Sequence, residues 1–445
     1  MGPPARLAAV LALALAACAP IPEHPNVLLV TIDTLRADRV GPRPDRASLT
    51  PFLDALAGRG LRYSAAYATA PWTPPSMASV LTGLYPSRHG VRRNITFGEQ
   101  LVAQEVLPDD LPFLPELLQG EGYATFGVAA NQVLAPEHGF ARGFDRYLCL
   151  GFEHDGNVVI RALEDWLPEI RRREPWLVWV HLLDPHAPYQ RTGPLPSRPG
   201  PGRSYPELEG VQPPQLYERM KEVGPGSDRL DYIEALYEGE VQRVDDHVRG
   251  VFERLDDERR TLAVVTSDHG EEFLEHGRFG HGNNLFEESI RIPLILRLPG
   301  GRRAGEVVRA AASLVDIVPT ILEVLEIEPP GGLQGRSLLG LRDAEPPRAV
   351  FVELSRVAEA RAAIEGRWKL IEEVRPEPRR MLFDLADDPR EHRSISAAFA
   401  EPADRLERLA REHVERSTRE RGRDNPIHPL TPEQAEALRS LGYGS

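Results

Sequence analysis

The chain has 445 residues, of which 53 are Lys or Arg and 67 are Asp or Glu, so its formal charge is −14. With 41% hydrophobic and 27% charged residues, it has an ordinary globular composition and can bury a large core. The acidic balance, without a basic stripe, argues against a nucleic-acid partner. Lys221 and Lys369 are the only lysines, so chemistry that needs a lysine has few candidates.

Residues 1–17 predict a signal peptide. The charged start at Arg6 leads into the apolar run Leu7–Ala17, which is too short to span a membrane. The ending Leu15-Ala16-Ala17-Cys18 resembles a bacterial lipobox, in which the signal is cut before a cysteine that then carries lipid. We therefore expect an exported lipoprotein, attached to the membrane through Cys18 and facing the periplasm or the cell exterior; the alternative is a plain signal peptide. Cys149 then lacks a disulfide partner and is interpreted as a structural thiol.

Apolar, β-branched runs of strand length alternate with helical patterns along the chain. This alternation predicts an α/β fold with a mixed, mostly parallel sheet and helices on both faces. In chain order the predicted elements are strand Asn26–Ile32, helix Thr73–Gly83, helix Val158–Arg173, strand Trp176–Leu182, helix Leu236–Arg254, strands Thr261–Thr266, Ile292–Leu298 and Ala349–Leu354, and helix Ala398–Arg421.

Two segments without periodicity divide the chain. Residues 187–227, rich in Pro, Gly and Arg, predict a long loop that projects from the sheet. The Pro- and Gly-rich stretch Glu328–Arg348 predicts a linker. We therefore expect a large α/β domain at 24–330, which carries the loop, and a small C-terminal α+β subdomain with a tail helix at 345–445.

Three of the apolar strands end in residue types that bind metal ions. Asp33 follows the first strand, His181 and His186 come at the end of the second, and Asp268-His269 follow the third. Ligands of open α/β sheets bind outside the carboxyl ends of the strands, so the coincidence predicts a shared cation site. Each aspartate alone is more often a cap or a turn residue.

Thr73 begins the predicted helix that ends at Gly83, with prolines in its first turn. One interpretation is structural: Thr73 is the N-cap of this helix. The functional interpretation uses the same geometry, because N–H groups and the dipole at a helix N-terminus favour an alkoxide and an incoming anion. If a cation at Asp33, Asp268 and His269 also contacts this oxygen, Thr73 is an activated nucleophile.

Taken together, these motifs resemble the sulfatase family of the alkaline phosphatase superfamily. The resemblance covers nearly all of the chain after the signal peptide, in the family's order, and implies an alkaline-phosphatase/sulfatase-like fold and a hydrolase of ester bonds. It rests on the segments Asn26–Arg36, Thr73–Gly90, Val180–Tyr189, Ser267–Glu271, Arg291–Leu294, Leu382–Leu385 with Asp388-Pro389, and Leu438–Tyr443.

The chain departs from the family at the nucleophile. Sulfatases carry Cys or Ser in a C/S-x-P-x-R motif and oxidise it to formylglycine, whereas this chain has Thr73 and, at the arginine position, Met77. Oxidation of a threonine would give a ketone, so the aldehyde hydrate cannot form. The family's sulfate-binding lysines are also absent from their places. What remains resembles threonine-dependent phosphoester enzymes, such as nucleotide pyrophosphatases and phosphoethanolamine transferases.

The resemblance also implies which residues hold the metal. It places Asp33, Thr73, Asp268 and His269 in a first site, and His186 with His281 in a second site or a leaving-group clamp. Imidazole-rich ligation favours zinc, as one or two ions, while calcium or manganese stay open.

Two further polar residues are candidates for binding the substrate. Asn131 is a candidate donor to a substrate oxygen, with loop capping as the alternative. His181 either contacts the substrate or is a structural strand residue hydrogen-bonded beneath the site.

The predicted function is hydrolysis of phosphate or sulfate esters through Thr73, with phosphoesters favoured and His186 or His281 assisting the leaving oxygen. The expected substrate is a small molecule, a glycan or a lipid headgroup that carries an anionic ester. Three alternatives stay open: a true sulfuric ester hydrolase of the arylsulfatase type, a phosphoethanolamine-type transferase, and a surface lipoprotein that binds anions without catalysis.

Overall fold

The computed structural model describes residues 24–43, 47–97, 100–153, 155–191, 193–196, 204–343, 346–356 and 358–443. The predicted signal peptide and Cys18 lie outside these residues, so export and lipid attachment stay predictions. Within the described ranges, no helix is both long enough and apolar enough to cross a bilayer.

A mixed sheet of eight strands forms the centre of the molecule, which confirms the predicted α/β class. Its strands are β1 Asn26–Ile32, β2 Leu61–Tyr63, β3 Ala124–Ala129, β4 Arg146–Cys149, β5 Trp176–Leu182, β6 Thr261–Ser267, β7 Leu294–Arg297 and β8 Glu306–Val308. Their order is β8-β2-β7-β6-β1-β5-β3-β4. From β6 to β4 neighbouring strands are parallel, while β7 is antiparallel to β6 and β2.

Helices cover both faces of this sheet. They are α1 Pro51–Gly58, α2 Thr73–Thr82, α3 Pro86–His89, α4 Leu114–Gly120, α5 Gly156–Ile170, α6 Pro213–Met220, α7 Asp228–Leu255, α8 Glu287–Ile290, α9 Ile317–Val324, α10 Ala400–Arg421 and α11 Pro432–Ser440. Alternate residues of β1 enter different cores, as the two-residue period of a strand requires. Val27 and Leu29 pack on the side of α2 and α9, whereas Leu28 and Val30 pack on the side of α5 and α7.

Several predicted elements differ from the structure. Helix α7 begins eight residues before its predicted start at Leu236, and α5 ends three residues before its predicted end at Arg173. Pro293, which has no N–H to donate, divides the strand predicted at 292–298 into Arg291–Ile292 and β7. The predicted loop 187–227 contains helix α6. Thr73 is the first residue of α2 rather than its cap: Trp72 occupies the cap position, and no side chain caps the helix there. The hydroxyl of Thr73 is therefore used elsewhere.

A second, antiparallel sheet follows, made of β9 Ala349–Ser355, β10 Glu359–Glu365, β11 Trp368–Arg375 and β12 Arg379–Asp384. Apolar residues of α10 pack against it. Three small sheets complete the fold. The first has two strands, Glu272–Phe273 and Phe279–Gly280, and the second has three, Ala66–Tyr67, Arg291–Ile292 and Ala312–Ser313. The third consists of Asn94–Phe97, Gln100–Glu105 and Ile427–Pro429. This third sheet joins the C-terminal segment Ile427–Pro429 to Gln100–Glu105 of the large domain, and α11 follows this segment in the chain.

Candidate active site

Four neighbouring parallel strands deliver polar residues to one edge of the central sheet. Asp268 follows β6, Asp33 follows β1, His181 lies near the end of β5, and Asn131 comes two residues after β3. Thr31 pairs with both His181 and Thr266, so the ends of the strands are level. The topology therefore gathers side chains that are far apart in sequence at the edge where α/β folds bind ligands.

Thr73 faces this edge from the start of α2. Its Oγ1 lies 3.4 Å from Asp33 Oδ2 and 3.3 Å from His269 Nε2. The three side chains are fully buried. A hydroxyl, a carboxylate and an imidazole from three separate segments thus converge on one point, as the sequence predicts.

Oxygen and nitrogen atoms of Asp33, Asp268 and His269 form a group whose members all lie within 4.8 Å of one another. Among the described residues, Asp33 Oδ1 and Asp268 Oδ2 are buried without a hydrogen-bond partner. Two unpartnered buried carboxylate oxygens are costly unless a cation or a proton neutralises them. The Nδ1 of His269 bonds to the carbonyl of Gly270 at 2.9 Å, which leaves Nε2 as the nitrogen that presents its lone pair to the group. This donor set fits a divalent metal ion.

The pKa values of the group reflect its burial and its like charges. Burial opposes ionisation of Asp33, but the hydrogen bond with His181 and the nearby His186 and His269 outweigh it, so the pKa of Asp33 falls below its usual range. Burial and the charge of Asp33 raise the pKa of Asp268 well above its usual value. Burial lowers the pKa of His269. A neutral imidazole beside carboxylates is the form that binds metal ions.

His186 and His281 lie next to this group without belonging to it. The ring of His281 is 4.6 Å from that of His269 and 5.0 Å from that of His186, measured between centroids. Burial lowers the pKa of both His186 and His281, so each is neutral at neutral pH. His281 Nδ1 bonds to Glu271 Oε1 at 2.9 Å, and Tyr189 donates to the other oxygen of Glu271, also at 2.9 Å. Such an outer carboxylate orients the imidazole of a metal-binding histidine. The structure therefore brings the two histidines together, and their role as ligands or clamp stays a prediction.

The two candidate substrate-binding residues have structural partners. His181 Nδ1 lies 2.9 Å from Thr31 Oγ1 and His181 Nε2 lies 3.4 Å from Asp33 Oδ2, so its ring sits beneath the site. Asn131 Oδ1 accepts from Val133 N–H at 3.2 Å, which is the capping role. Its Nδ2 donates to Asp33 Oδ2 at 2.8 Å and so faces the site as well. Both interpretations of Asn131 thus describe part of its environment.

Tyr443 is the main site residue for which the sequence predicts no role. Its hydroxyl lies 3.0 Å from Thr73 Oγ1 and accepts from Asn131 Nδ2 at 3.0 Å. Its side chain is 1% exposed and covers the nucleophile. The motif Leu438–Tyr443 draws attention to the segment, but no local pattern indicates that it reaches residue 73.

Neither lysine belongs to the site. Lys369 is buried in β11 between Glu287, at 3.0 Å, and Glu391, at 2.8 Å. Lys221 is exposed next to α6 and pairs with Glu218. The one cysteine among the described residues, Cys149, donates to the carbonyl of Asn131 at 3.5 Å, and burial raises the pKa of its thiol to about 11. A protonated, half-buried thiol agrees with a structural role.

Comparison with known proteins identifies the class of this fold and site. Residues 25–327 match the family model described as Sulfatase, and residues 274–415 match that described as N-sulphoglucosamine sulphohydrolase, C-terminal. The chain therefore belongs to the sulfatase family of the alkaline phosphatase superfamily. It is a sulfatase-like hydrolase that acts on ester bonds.

Individual relatives span most of the chain. It is 27% identical over 377 residues, 75% of this chain and 74% of the relative, to the Escherichia coli (strain K12) protein named Uncharacterized sulfatase YidJ. It is 28% identical over 396 residues, 71% of this chain and 76% of the relative, to the multifunctional alkaline phosphatase superfamily protein PehA of Trinickia caryophylli. The fold is similar, with a TM-score of 0.66 and 23% identity, to the phosphonate monoester hydrolase SpPMH from Silicibacter pomeroyi, over 89% of this chain and 96% of that one.

Proposed function

We propose that this protein hydrolyses anionic phosphate or sulfate esters, with phosphoesters preferred, and that Thr73 Oγ1 is the nucleophile. The observation that carries the proposal is the position of this oxygen, 3.4 Å from Asp33 Oδ2 and 3.3 Å from His269 Nε2. Thr82 Oγ1, on the same helix, instead bonds to the backbone carbonyl of Ala78 at 2.6 Å.

The residues that would hold a divalent ion are Asp33, Asp268 and His269, with His186 and His281 beside them. A bound ion supplies positive charge that favours the ionised threonine and the negative charge of the transferred group. Imidazole donors favour zinc among the divalent ions. The expectation of one or two ions rests on His186 and His281, which lie outside the group of Asp33, Asp268 and His269 and could hold a second ion.

The remaining chemistry falls to the chain's own residues. The proton of the Thr73 hydroxyl passes through water to Nε2 of His186 or His281, because both imidazoles are neutral and Asp33, with its lowered pKa, is too weak a base. Thr73 Oγ1 then bonds to phosphorus or sulfur while the bond to the leaving oxygen breaks, and the imidazole of His186 or His281 that took up the proton on Nε2 donates it to that oxygen, since its Nδ1 is bonded to the Ala187 carbonyl or to Glu271. Water next attacks the threonine ester, the bond to Oγ1 breaks, and Thr73 regains its proton.

The preference for phosphoesters rests on the nucleophile and on the missing lysines. A threonine gives a stable hydroxyl nucleophile and cannot form the hydrate of an aldehyde. Both lysines of the chain pair with other carboxylates: Lys369 is buried between Glu287 and Glu391, and Lys221 is exposed beside Glu218. A related protein is named as multifunctional and a fold neighbour as a phosphonate monoester hydrolase, which supports a site that accepts phosphorus. The names of other relatives favour the second candidate, a sulfuric ester hydrolase.

Thr73 is fully buried, with Tyr443 against it, so an ester reaches the nucleophile only when side chains around these two residues move. The proposed substrate is a small molecule, a glycan or a lipid headgroup that carries the ester. The proposed location is outside the cytoplasm, where the protein is anchored to the membrane through a lipid on Cys18 and faces the periplasm or the cell exterior.

A substrate panel tests the proposal. Wild type, Thr73→Ala and Thr82→Ala are assayed with 4-nitrophenyl phosphate, bis(4-nitrophenyl) phosphate, 4-nitrophenyl phenylphosphonate and 4-nitrophenyl sulfate, and their metal content is measured. Thr82 is the matched control, because its buried hydroxyl lies on the same helix. We expect wild type and Thr82→Ala to cleave a phosphoester fastest, and Thr73→Ala to lose at least about 10³-fold.

Other outcomes select among the alternatives. Faster cleavage of the sulfate would favour the sulfuric ester hydrolase, and transfer of the cleaved group to an added alcohol would favour the transferase. Absence of both turnover and bound metal would favour the anion-binding lipoprotein. Full activity of Thr73→Ala would contradict the proposed nucleophile.

A further inference from the structure

We propose that Tyr443 is a catalytic residue, whose hydroxyl donates a hydrogen bond to the reacting oxygen of Thr73. This inference rests on the proposed function, because the reaction in which Tyr443 takes part is the one proposed above. It adds a residue from the C-terminal end of the described chain, 370 positions from the nucleophile.

The direction of the hydrogen bonds follows from the donors present. Asn131 Oδ1 accepts from Val133 N–H, so its amide nitrogen is the atom that faces Tyr443. This nitrogen has no acceptor capacity, so the Tyr443 oxygen accepts from it at 3.0 Å. The phenolic proton then points to Thr73 Oγ1, also at 3.0 Å. The Thr73 proton is left to point to Asp33 Oδ2, at 3.4 Å, or to His269 Nε2, at 3.3 Å.

The fold holds Tyr443 in this place through its backbone and its ring. Its N–H donates to the carbonyl of Leu438 at 3.0 Å, and its carbonyl accepts from Asn94 Nδ2 at 2.5 Å. The ring stacks on that of His186, with centroids 6.3 Å apart and planes at 7°. These contacts fix the position of the hydroxyl, as a donor to a reacting oxygen requires.

Gly442 is the residue that allows the tail to enter the site. It has a φ of +82°, in the left-handed region, and an added Cβ would lie 3.0 Å from the ring of Tyr217. Its carbonyl accepts from Arg356. Only glycine satisfies both the turn and the close packing. The turn at Gly442 therefore places Tyr443 in the site, whereas a loosely packed tail would not hold it there.

The surroundings keep Tyr443 a donor. The phenol is buried, and Asn131 Nδ2 and Thr73 Oγ1 are the polar atoms within hydrogen-bond distance of its oxygen. Tyr443 and Asn131 are thus two neutral donors beside Thr73, in a site that no lysine reaches. Negative charge develops on Thr73 Oγ1 when water cleaves the threonine ester and this oxygen leaves, and a donor placed there stabilises that transition state more than the ground state.

Tyr443→Phe tests the inference, because phenylalanine keeps the ring stacking and the backbone bonds and removes only the hydroxyl. The control is Tyr63→Phe, which removes a buried hydroxyl that donates to the carbonyl of Leu338 at 3.1 Å, away from the site. We measure kcat and KM on the best ester of the panel, and the affinity for tungstate by calorimetry with the protein as purified.

We expect Tyr443→Phe to lose about 100-fold in kcat with KM nearly unchanged, the size seen when one such donor is removed. Tyr63→Phe should keep the wild-type kcat. A Tyr443→Phe variant with wild-type kcat, or with kcat reduced only as much as in Tyr63→Phe, overturns the inference. If wild type cleaves no ester, the proposed function fails, and the tungstate affinities then test the hydrogen bond from Tyr443. Tungstate binding at least tenfold weaker in Tyr443→Phe than in wild type supports this hydrogen bond, and equal binding overturns it.

Discussion

The two buried carboxylates next to Thr73 predict an unusual effect of Asp268→Asn: greater stability without metal. Carboxylate atoms of Asp268 and Asp33 lie within 4.8 Å of each other. At an effective dielectric constant of about 20, two unit charges at this distance repel by ~3 kcal/mol. This repulsion, together with burial, is the reason that the pKa of Asp268 is raised.

The sign of the effect follows from proton binding. An aspartate with a raised pKa holds more protons in the folded than in the unfolded state, so its cost to stability grows as pH rises above 3.8. Asparagine carries no charge, and its oxygen can still accept the bonds that Asp268 Oδ1 accepts from Thr34 N–H at 3.2 Å and His269 N–H at 2.8 Å. We expect a gain of up to about 3 kcal/mol at pH 7, shrinking towards zero near pH 4.

Urea unfolding with and without a chelator measures this gain. Added zinc should stabilise wild type, by ~2.7 kcal/mol at a hundredfold excess over Kd, and should barely stabilise Asp268→Asn. The control Asp245→Asn alters a buried aspartate whose two oxygens accept from Phe52 and Leu53 N–H, each at 2.9 Å. The amide nitrogen cannot accept one of these two bonds, which opposes the gain expected from removing a carboxylate whose pKa is raised by burial, so stability should change little and the zinc response should be kept. If Asp268→Asn is less stable than wild type in chelator and gains as much from zinc, the metal-site interpretation is refuted.

Two other predictions concern buried charge away from the site. Burial lowers the pKa of His89 to about 3, so near pH 6.5 a proton binds to this imidazole in the unfolded chain and not in the folded one. Wild type should therefore lose ~2 kcal/mol of unfolding free energy between pH 7 and pH 5, and His89→Gln should not show this loss. The same dependence of unfolding free energy on pH in both proteins would contradict the prediction. Lys369→Met should lower the free energy of unfolding in urea by about 3 to 5 kcal/mol, because Glu287 and Glu391 lose their shared cation. Its kcat should stay at the wild-type value, and a fall in kcat at unchanged stability would contradict the structural role of Lys369.

The strands that build the site are the part of the fold best predicted from sequence. β1 and β5 have the predicted bounds and β6 is one residue longer. They are buried along their whole length, so they are encoded as continuous apolar runs with clear ends. Because parallel strands end at the same edge of a sheet, the sequence alone is enough to group the residues that follow them.

Features that depend on distant contacts could not be predicted in this way. Helix α6 lies in a Pro-rich segment, where only Leu216 and Met220, four residues apart and buried, indicate a helix. The return of the C-terminal segment depends on pairing between Ile427–Pro429 and Gln100–Glu105. The contact of Tyr443 with Thr73 follows from that pairing, and nothing within either segment encodes it.

The most direct test of the central claim is to trap the covalent intermediate. Wild type is mixed with a slow phosphodiester substrate, quenched in acid during turnover, digested and analysed by mass spectrometry. We predict that the peptide containing Thr73 carries the transferred phosphoryl group, and that the mass shift lies on Thr73 and is absent in Thr73→Ala. Turnover without any adduct on this peptide, or with the adduct on another residue, would contradict the account.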